Sequence, residues 1–192
     1  MEQLRQTIRH MIAISDDELQ GLLDSCFLKT FRRKELLSQP GKVCDEIFFI
    51  KKGIIRVIID DKNGQENTVH FALENQFNAD YGSFIQQTPS IYSLQALEIT
   101  DTVVLPRAAI DWGYQNLQQG DRLGRMIAEY YFIYLDNRIQ NLYANNPKER
   151  YDGINQIFPN IHNRAPQHMI ASYLGITPIH LSRLKKTDRR KT

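Results

Sequence analysis

The spacing of hydrophobic positions changes twice along the 192 residues. The first segment reads as helical. Ser15-Asp16-Asp17-Glu18 has the Ser-x-x-Glu form of a capping box, and Leu19, Leu22 and Leu23 follow on one helical face. From Phe31 to Leu105 the pattern becomes short β-rich runs broken by turn residues: Leu36-Leu37, Glu46 to Lys51, then Ile54 to Ile59. Asp61-Lys62-Asn63-Gly64 supplies an Asn-Gly hairpin signal, with Gln65 to Leu73 as the returning strand. Ile91 to Ile99 alternates with a period of two, and Thr102 to Leu105 adds a strand before Pro106. Short strands at this spacing predict an antiparallel roll or barrel.

Beyond Pro106 the helical period returns. Arg107 to Asn116 reads as a short helix, and about Asp121 to Ala144 as a long one without proline. Leu123, Ile127, Tyr131, Tyr134 and Leu142 form one stripe, and Met126, Tyr130 and Ile133 a second. A helix apolar on two faces needs two partners. One reading is a central helix inside a single domain; the favoured one packs it on its own roll and on a second subunit. Leu123, Ile127, Tyr130, Tyr131 and Tyr134 are then the expected dimer interface. Asn145-Asn146-Pro147 ends the helix. The expected division is 1–118, 119–146 and 147–192.

Composition narrows the class. With 42% hydrophobic and 24% charged residues, the chain is an ordinary globular sequence, not collagen-like, low-complexity or disordered. Its longest purely apolar run, Tyr130 to Leu135, is six residues, against the roughly 18 of a membrane-spanning helix. The N-terminus has an early acid and no apolar stretch of the kind a secretory signal needs. Cys26 and Cys44, the two cysteines, form no Cys-x-x-Cys pair, so a reducing, cytoplasmic setting is expected. Charge is uneven. Residues 164–192 carry seven Lys or Arg against the single acid Asp188, leaving 17 bases and 21 acids before them. A cationic tail on a slightly anionic body suits a polyanionic partner.

The segment from Gln167 to Lys186 carries the functional signal. Ile170 and Leu174 share a helical face, and Ala171 beside them is small enough for a second helix to cross closely. Gly175 supplies a positive-φ turn with Ile176 beneath it. Thr177 suits an N-cap, Pro178 the first helical position, and Leu181 and Leu184 complete the core. This is a helix-turn-helix pattern. A hairpin that merely packs explains the apolar spacing, but not the polar residues on the second helix. Arg183 is the candidate base contact, since its fork can bond the O6 and N7 of guanine together. Thr177, His180 and Ser182 are candidates for phosphate or base edges. Lys185, Lys186, Arg189 and Arg190 are assigned to phosphates.

Over nearly its whole length the sequence resembles the bacterial Crp/Fnr transcription regulators. The resemblance rests on Leu36-Leu37-Ser38-Gln39-Pro40-Gly41, Ile47 to Gly53, the long helix, Glu149-Arg150-Tyr151 and the helix-turn-helix. It implies an α+β fold: a cyclic-nucleotide-binding-like β-roll (a jelly roll), a long dimerisation helix and a C-terminal winged helix-turn-helix domain. It also implies a homodimer on double-stranded DNA of pseudo-palindromic sequence. RNA polymerase is a further candidate partner, and a small-molecule effector an unidentified one.

Members that bind cyclic nucleotides carry a phosphate cassette with a Gly-Glu pair and a later Arg-Ser or Arg-Thr pair. Here Ala79-Asp80 stands for Gly-Glu, and no Lys or Arg occurs between Lys62 and Arg107. A buried cyclic phosphate would lose a charge-assisted partner worth about 1.5 to 3 kcal/mol. The residues therefore argue against cyclic AMP or GMP, unless Arg122 or Arg125 reaches in from the long helix, and no cofactor is expected. Ala79, Asp80, Tyr81, Gly82, Ser83, Tyr92 and Ser93 remain the candidate effector pocket. Two cysteines are too few for an iron-sulfur cluster, and nothing marks His10, His70, His162, His168 or His180 as a haem ligand. Phe158 to Pro166 is short for a wing hairpin, so a reduced wing is expected. A metal enzyme on such a roll would need clustered histidines, and residues 31–105 hold only His70. No metal site and no enzyme is expected. The rival to a DNA-binding regulator is a ligand-sensing or protein-interaction module with a vestigial helix-turn-helix.

Overall fold

The structure, a computed structural model, describes residues 1–188. Helices α1 (Glu2–Met11) and α2 (Asp16–Leu23) lead into strands β1 (Phe27–Phe31), β2 (Leu36–Ser38), β3 (Glu46–Lys52), β4 (Ile55–Asp60), β5 (Glu66–Ala72) and β6 (Phe77–Asn78). After a short helix α3 (Tyr81–Gln86) come β7 (Tyr92–Ala96) and β8 (Thr100–Pro106). The rest is helical: α4 (Arg107–Asn116), α5 (Gly120–Ala144), α6 (Pro147–Ile157), α7 (Ile161–Arg164), α8 (Gln167–Tyr173) and α9 (Pro178–Asp188).

The strands form two antiparallel four-stranded sheets, ordered β1-β8-β3-β6 and β2-β7-β4-β5. Between them lie Phe31, Phe48, Ile50, Ile55, Leu94 and Val104. Because side chains alternate along β3, Ile47 and Phe49 point the other way, into a core with Leu4, Ile8, Leu19 and Leu22 of α1 and α2. The second sheet is covered in the same manner from outside. Phe71 of β5, with the flanking Ile54, Leu73 and Leu97, shares one apolar core with Ile154, Phe158, Ile161, Ile170, Tyr173 and Leu181 of the C-terminal helices. The jelly roll is thus sandwiched between two sets of helices.

Local signals read from the sequence hold. The Ser15 and Glu18 side chains cap each other's backbone amides at 3.3 and 3.0 Å. In the β4–β5 turn the Asp61 carboxylate accepts the amides of Asn63 and Gln65. Other features differ. β1 begins at Phe27, ahead of the expected strand region; it is an edge strand whose first four residues are exposed, so no alternation marks it. Helix α3 occupies the candidate effector segment, with Asp80 as its N-cap accepting the Ser83 amide at 3.1 Å. The wing implied by family resemblance is not formed: among the described residues no strand follows Pro106, and the stretch where a hairpin would fold contains α7.

The long helix requires the largest correction. Of the expected interface residues, Leu123 and Ile127 pack into the core with α1 and α2. The Tyr131 hydroxyl bonds to Ala79, and the Tyr134 hydroxyl donates to the Val69 carbonyl at 3.3 Å. Tyr130 alone of the five stays largely exposed, at 46%. A helical stripe shows that a face is apolar, not which surface covers it; here the roll of the same chain does. The open face carries Phe132, Leu135, Ile139 and Leu142 instead.

His70 of β5 lies where roll, long helix and C-terminal helices meet. Its ring packs 3.9 Å from that of Tyr134 and 5.4 Å from that of Phe158, and its Nδ1 has no hydrogen-bond partner among the described residues. Burial, helped by the nearby Arg138 charge, lowers the imidazole to about 3. An unfolded chain protonates this group near 6.5 while the fold keeps it neutral, so stability falls as pH drops from about 6.5 toward 3. The slope from this one group is at most about 1.4 kcal/mol per pH unit. Urea unfolding followed between about pH 7.5 and 5 is expected to lose midpoint steadily for the wild type and less for His70→Leu. Parallel curves for the two proteins would show that His70 does not carry the effect.

Candidate nucleic-acid interface and effector site

The helix-turn-helix is built as its residues dictate. Ile170, Ala171, Leu174 and Leu181 are all buried in the C-terminal core. Gly175 adopts φ +66°, a left-handed conformation that costs a residue with a Cβ, and Ile176 packs against the core below it. The Thr177 hydroxyl accepts the His180 amide at 3.2 Å, the expected N-cap, and Pro178 opens α9. With Leu181 inward, the outward face carries Ile179, Ser182, Arg183 and Lys186, at the i, i+3, i+4, i+7 spacing of one helical stripe.

Thr177 and His180 sit exposed at the N-terminal end of that stripe, while Lys185 is half-buried. Ile179, 68% exposed, was not singled out in the sequence. Its signal was the spacing to Arg183, which puts an apolar side chain one turn before the candidate base contact. Arg189 and Arg190, assigned to phosphates, lie outside the described residues, as does Lys191.

The helix-turn-helix is fixed to the roll by more than the shared core. The Thr68 amide on β5 donates to the Ser172 hydroxyl on α8 at 2.8 Å. Arg164 of α7 makes a bidentate pair with Glu74, at 2.7 and 3.0 Å, and bonds Glu98 at 2.5 Å. Burial alone would raise the Glu74 carboxyl, but the Arg164 hydrogen bonds, with the Gly53 amide, bring it down to about 2. Arg138 of α5 lies over the Tyr173 ring and donates to the Tyr173 carbonyl. Arg150 of α6 donates to the carbonyls of Leu174 and Asn145, tying the turn to the end of the long helix.

The candidate effector residues come together around α3, with their polar groups engaged inside the chain. The Ala79 amide donates to the Tyr131 hydroxyl at 2.8 Å, and the Tyr81 and Tyr131 rings stack 5.0 Å apart. Ser83 accepts the Cys44 amide and donates to the Thr88 carbonyl. Tyr92 is half-buried; burial, then the Asp80 charge, pushes its phenol up. Ser93 is half-buried and Gly82 exposed. Neither arginine of the long helix reaches in. Arg122 bonds Gln119 and Arg125 pairs with Glu129, all in exposed positions. No local pattern marks Tyr131 as the partner of the Ala79 amide, because this contact joins groups 52 residues apart. Among the described residues no group of three or more His, Cys, Asp or Glu is placed to hold a metal ion. Nor is any helix among them long and apolar enough to cross a membrane.

Comparison with known proteins agrees with this architecture. Residues 28–116 match the family model of the cyclic nucleotide-binding domain. The cAMP-activated global transcriptional regulator Vfr of Pseudomonas aeruginosa is 29% identical over 66 residues, which is 34% of this chain and 31% of that protein, so the match spans under a third of the relative. FixK2 from Bradyrhizobium japonicum has a similar structure, with a TM-score of 0.72 at 13% identity over 86% of this chain and 85% of that one. A Crp/Fnr-family protein from Eubacterium rectale gives a TM-score of 0.72 at 14% identity, covering 93% and 85% of the two chains. At such identities the solved structures establish the fold. Residues 28–116 therefore form a cyclic nucleotide-binding domain, and the chain as a whole shares the fold of a solved Crp/Fnr-family structure.

Proposed function

We propose that this protein is a cytoplasmic, homodimeric, sequence-specific DNA-binding regulator of transcription, working without cyclic AMP or GMP. In this reading residues 1–118 form the sensing roll, 119–146 the dimerisation helix and 147–192 the DNA-binding unit. The observation that carries it is the exposed stripe on α9: Ile179, Ser182, Arg183 and Lys186 face outward from a helix whose opposite side is buried in the core. A hairpin kept only for packing has no need of two cations and a hydroxyl arrayed around an exposed isoleucine. Arg183 reads guanine, Ile179 meets a thymine methyl, and Lys186 with Lys185 holds phosphates. Vfr is cAMP-activated; here Tyr131 already bonds the Ala79 amide, where a nucleotide phosphate would be sought.

Dimerisation is assigned to the open face of α5. Ala128, Phe132, Leu135, Ile139 and Leu142 are spaced four, three, four and three residues apart, the seam of a two-stranded coiled coil. Phe132 is 70% and Ile139 55% exposed, which suits a surface covered by a second copy. Two-fold symmetry of the helices then sets two recognition helices for a pseudo-palindromic site. RNA polymerase is the partner through which bound protein would act on transcription.

Selection from a random duplex pool with purified protein is expected to return a two-fold symmetric motif. Arg183→Ala should cost about 1–3 kcal/mol on that motif and relax one position in each half-site. Lys186→Ala should weaken all sequences alike and lower the salt slope by about two, one for each subunit of the dimer. If no motif is enriched and binding tracks only ionic strength, the helix-turn-helix is vestigial and the proposal fails. Leu135→Glu is expected to convert a dimer into a monomer in sedimentation at about micromolar concentration and to abolish binding to the two-half-site duplex. A dimer that persists in Leu135→Glu would place the subunit contact elsewhere.

A further inference from the structure

An apolar cavity lies on the other side of the roll from the helix-turn-helix and away from the bonded core of the cassette. It holds about 320 Å³ between α3, α4 and the first turns of α5. That is at the lower end of sites that take small molecules, roughly 300–1,000 Å³. Phe77, Tyr81, Phe84 and Ile127 contribute to its walls, so rings and branched aliphatic side chains dominate. Gly124 shapes the α5 side. A Cβ there would lie 2.2 Å from the Tyr114 hydroxyl, so only glycine lets the Tyr114 ring of α4 lie across the long helix.

Two opposite charges line this apolar space from one face of α4, Arg107 and, one turn later, Asp111. The Arg107 guanidinium lies 4.1 Å over the Phe84 ring, donates to the Phe84 carbonyl and bonds Asp45 through Nε at 3.4 Å. With five N–H groups, it keeps donors beyond those two contacts. Asp111 has no ion-pair partner among the described residues. A cation held over an aromatic ring, an anion without a counter-ion and an aromatic-walled cavity are complementary to a molecule with a ring, a carboxylate and an ammonium group.

We propose that this cavity is a binding site for a small aromatic carboxylate, the zwitterionic aromatic amino acids matching both charges. The carboxylate meets Arg107, the ring enters between Phe77, Phe84 and Ile127, and an ammonium group meets Asp111. Tyr81, one wall of the cavity, stacks on Tyr131 of α5, which bonds the Ala79 amide. A ligand here would press on the side chain that joins the cassette to the long helix.

The test needs no DNA, so its outcome is separate from that of the proposed function. The full chain is titrated calorimetrically with L-phenylalanine and, in parallel, with 3-phenylpropionate. Trp112, the single tryptophan, is a second reporter on α4 itself; its ring packs over Gly21, away from the cavity lining. Saturable binding of both probes is expected, tighter for L-phenylalanine. Arg107→Gln should weaken both about tenfold. Asp111→Asn changes an exposed residue and should weaken L-phenylalanine alone by a similar factor. Ile85→Trp, at a 60% exposed position on the rim, should reduce binding of both by narrowing the space without touching the Arg107 contacts. The proposal is overturned if neither probe saturates up to about 10 mM, or if all three variants, folded by circular dichroism, bind as the wild type does.

Discussion

The position of the helix-turn-helix depends on one apolar core that does not respect the division between roll and C-terminal helices. Phe71 of β5 meets the rings of Phe158 and Tyr173 at 5.6 and 5.7 Å, and those two rings meet each other at 5.0 Å. A buried aromatic side chain at such a junction contributes on the order of 3–5 kcal/mol against truncation to alanine. That leaves little freedom for the two parts to drift independently. The polar contacts around this core, Thr68 with Ser172 and Arg164 with Glu74 and Glu98, are directional, and so they fix the orientation of what the core holds together.

Rigidity of this kind also holds the exposed face of α9 in one direction. Leu181 faces the shared core, and the direction in which Arg183 points follows from that anchoring and from the Thr177 cap. The long helix belongs to the same assembly. Tyr131 bonds to Ala79, Tyr134 to Val69 and Arg138 to Tyr173, so a single helix face touches α3, the second sheet and the helix-turn-helix in succession. A displacement at any of these contacts is transmitted along a stiff element, the physical form that coupling between sensing and DNA-binding parts takes in the proposed function.

The same helix face explains how the roll can have the cyclic nucleotide-binding architecture while its cassette is engaged internally. Asp80 caps α3, Ser83 bridges Cys44 and Thr88, and the Ala79 amide is held by a phenol that burial keeps protonated. These contacts satisfy polar groups that would otherwise be available to a ligand, at little cost in desolvation because they are already paired in the fold. An apolar space lies instead beside α4, where Gly124 and Tyr114 set the separation of two helices.

The sequence by itself determined everything that depends on neighbours a few residues away. The Ser15–Glu18 capping box, the Asp61 turn, the strand alternation, the Gly175 turn and the Thr177 cap are local chemistry, so a linear reading finds them. The exposed residues of α9 were legible for the same reason: helical period and the buried partners Ile170, Leu174 and Leu181 fix which side faces out. Tertiary structure alone decided which surface each apolar stripe meets. Leu123, Ile127, Tyr131 and Tyr134 met their own roll and left Phe132, Leu135 and Ile139 open, because hydrophobic burial is non-directional and a stripe does not name its partner. The Tyr131–Ala79 bond, the unpartnered His70 and the pairing of Arg164 with Glu74 and Glu98 were likewise invisible. Each joins groups at least 52 residues apart, or a packed environment made of three separate segments, and only the folded chain brings them within reach.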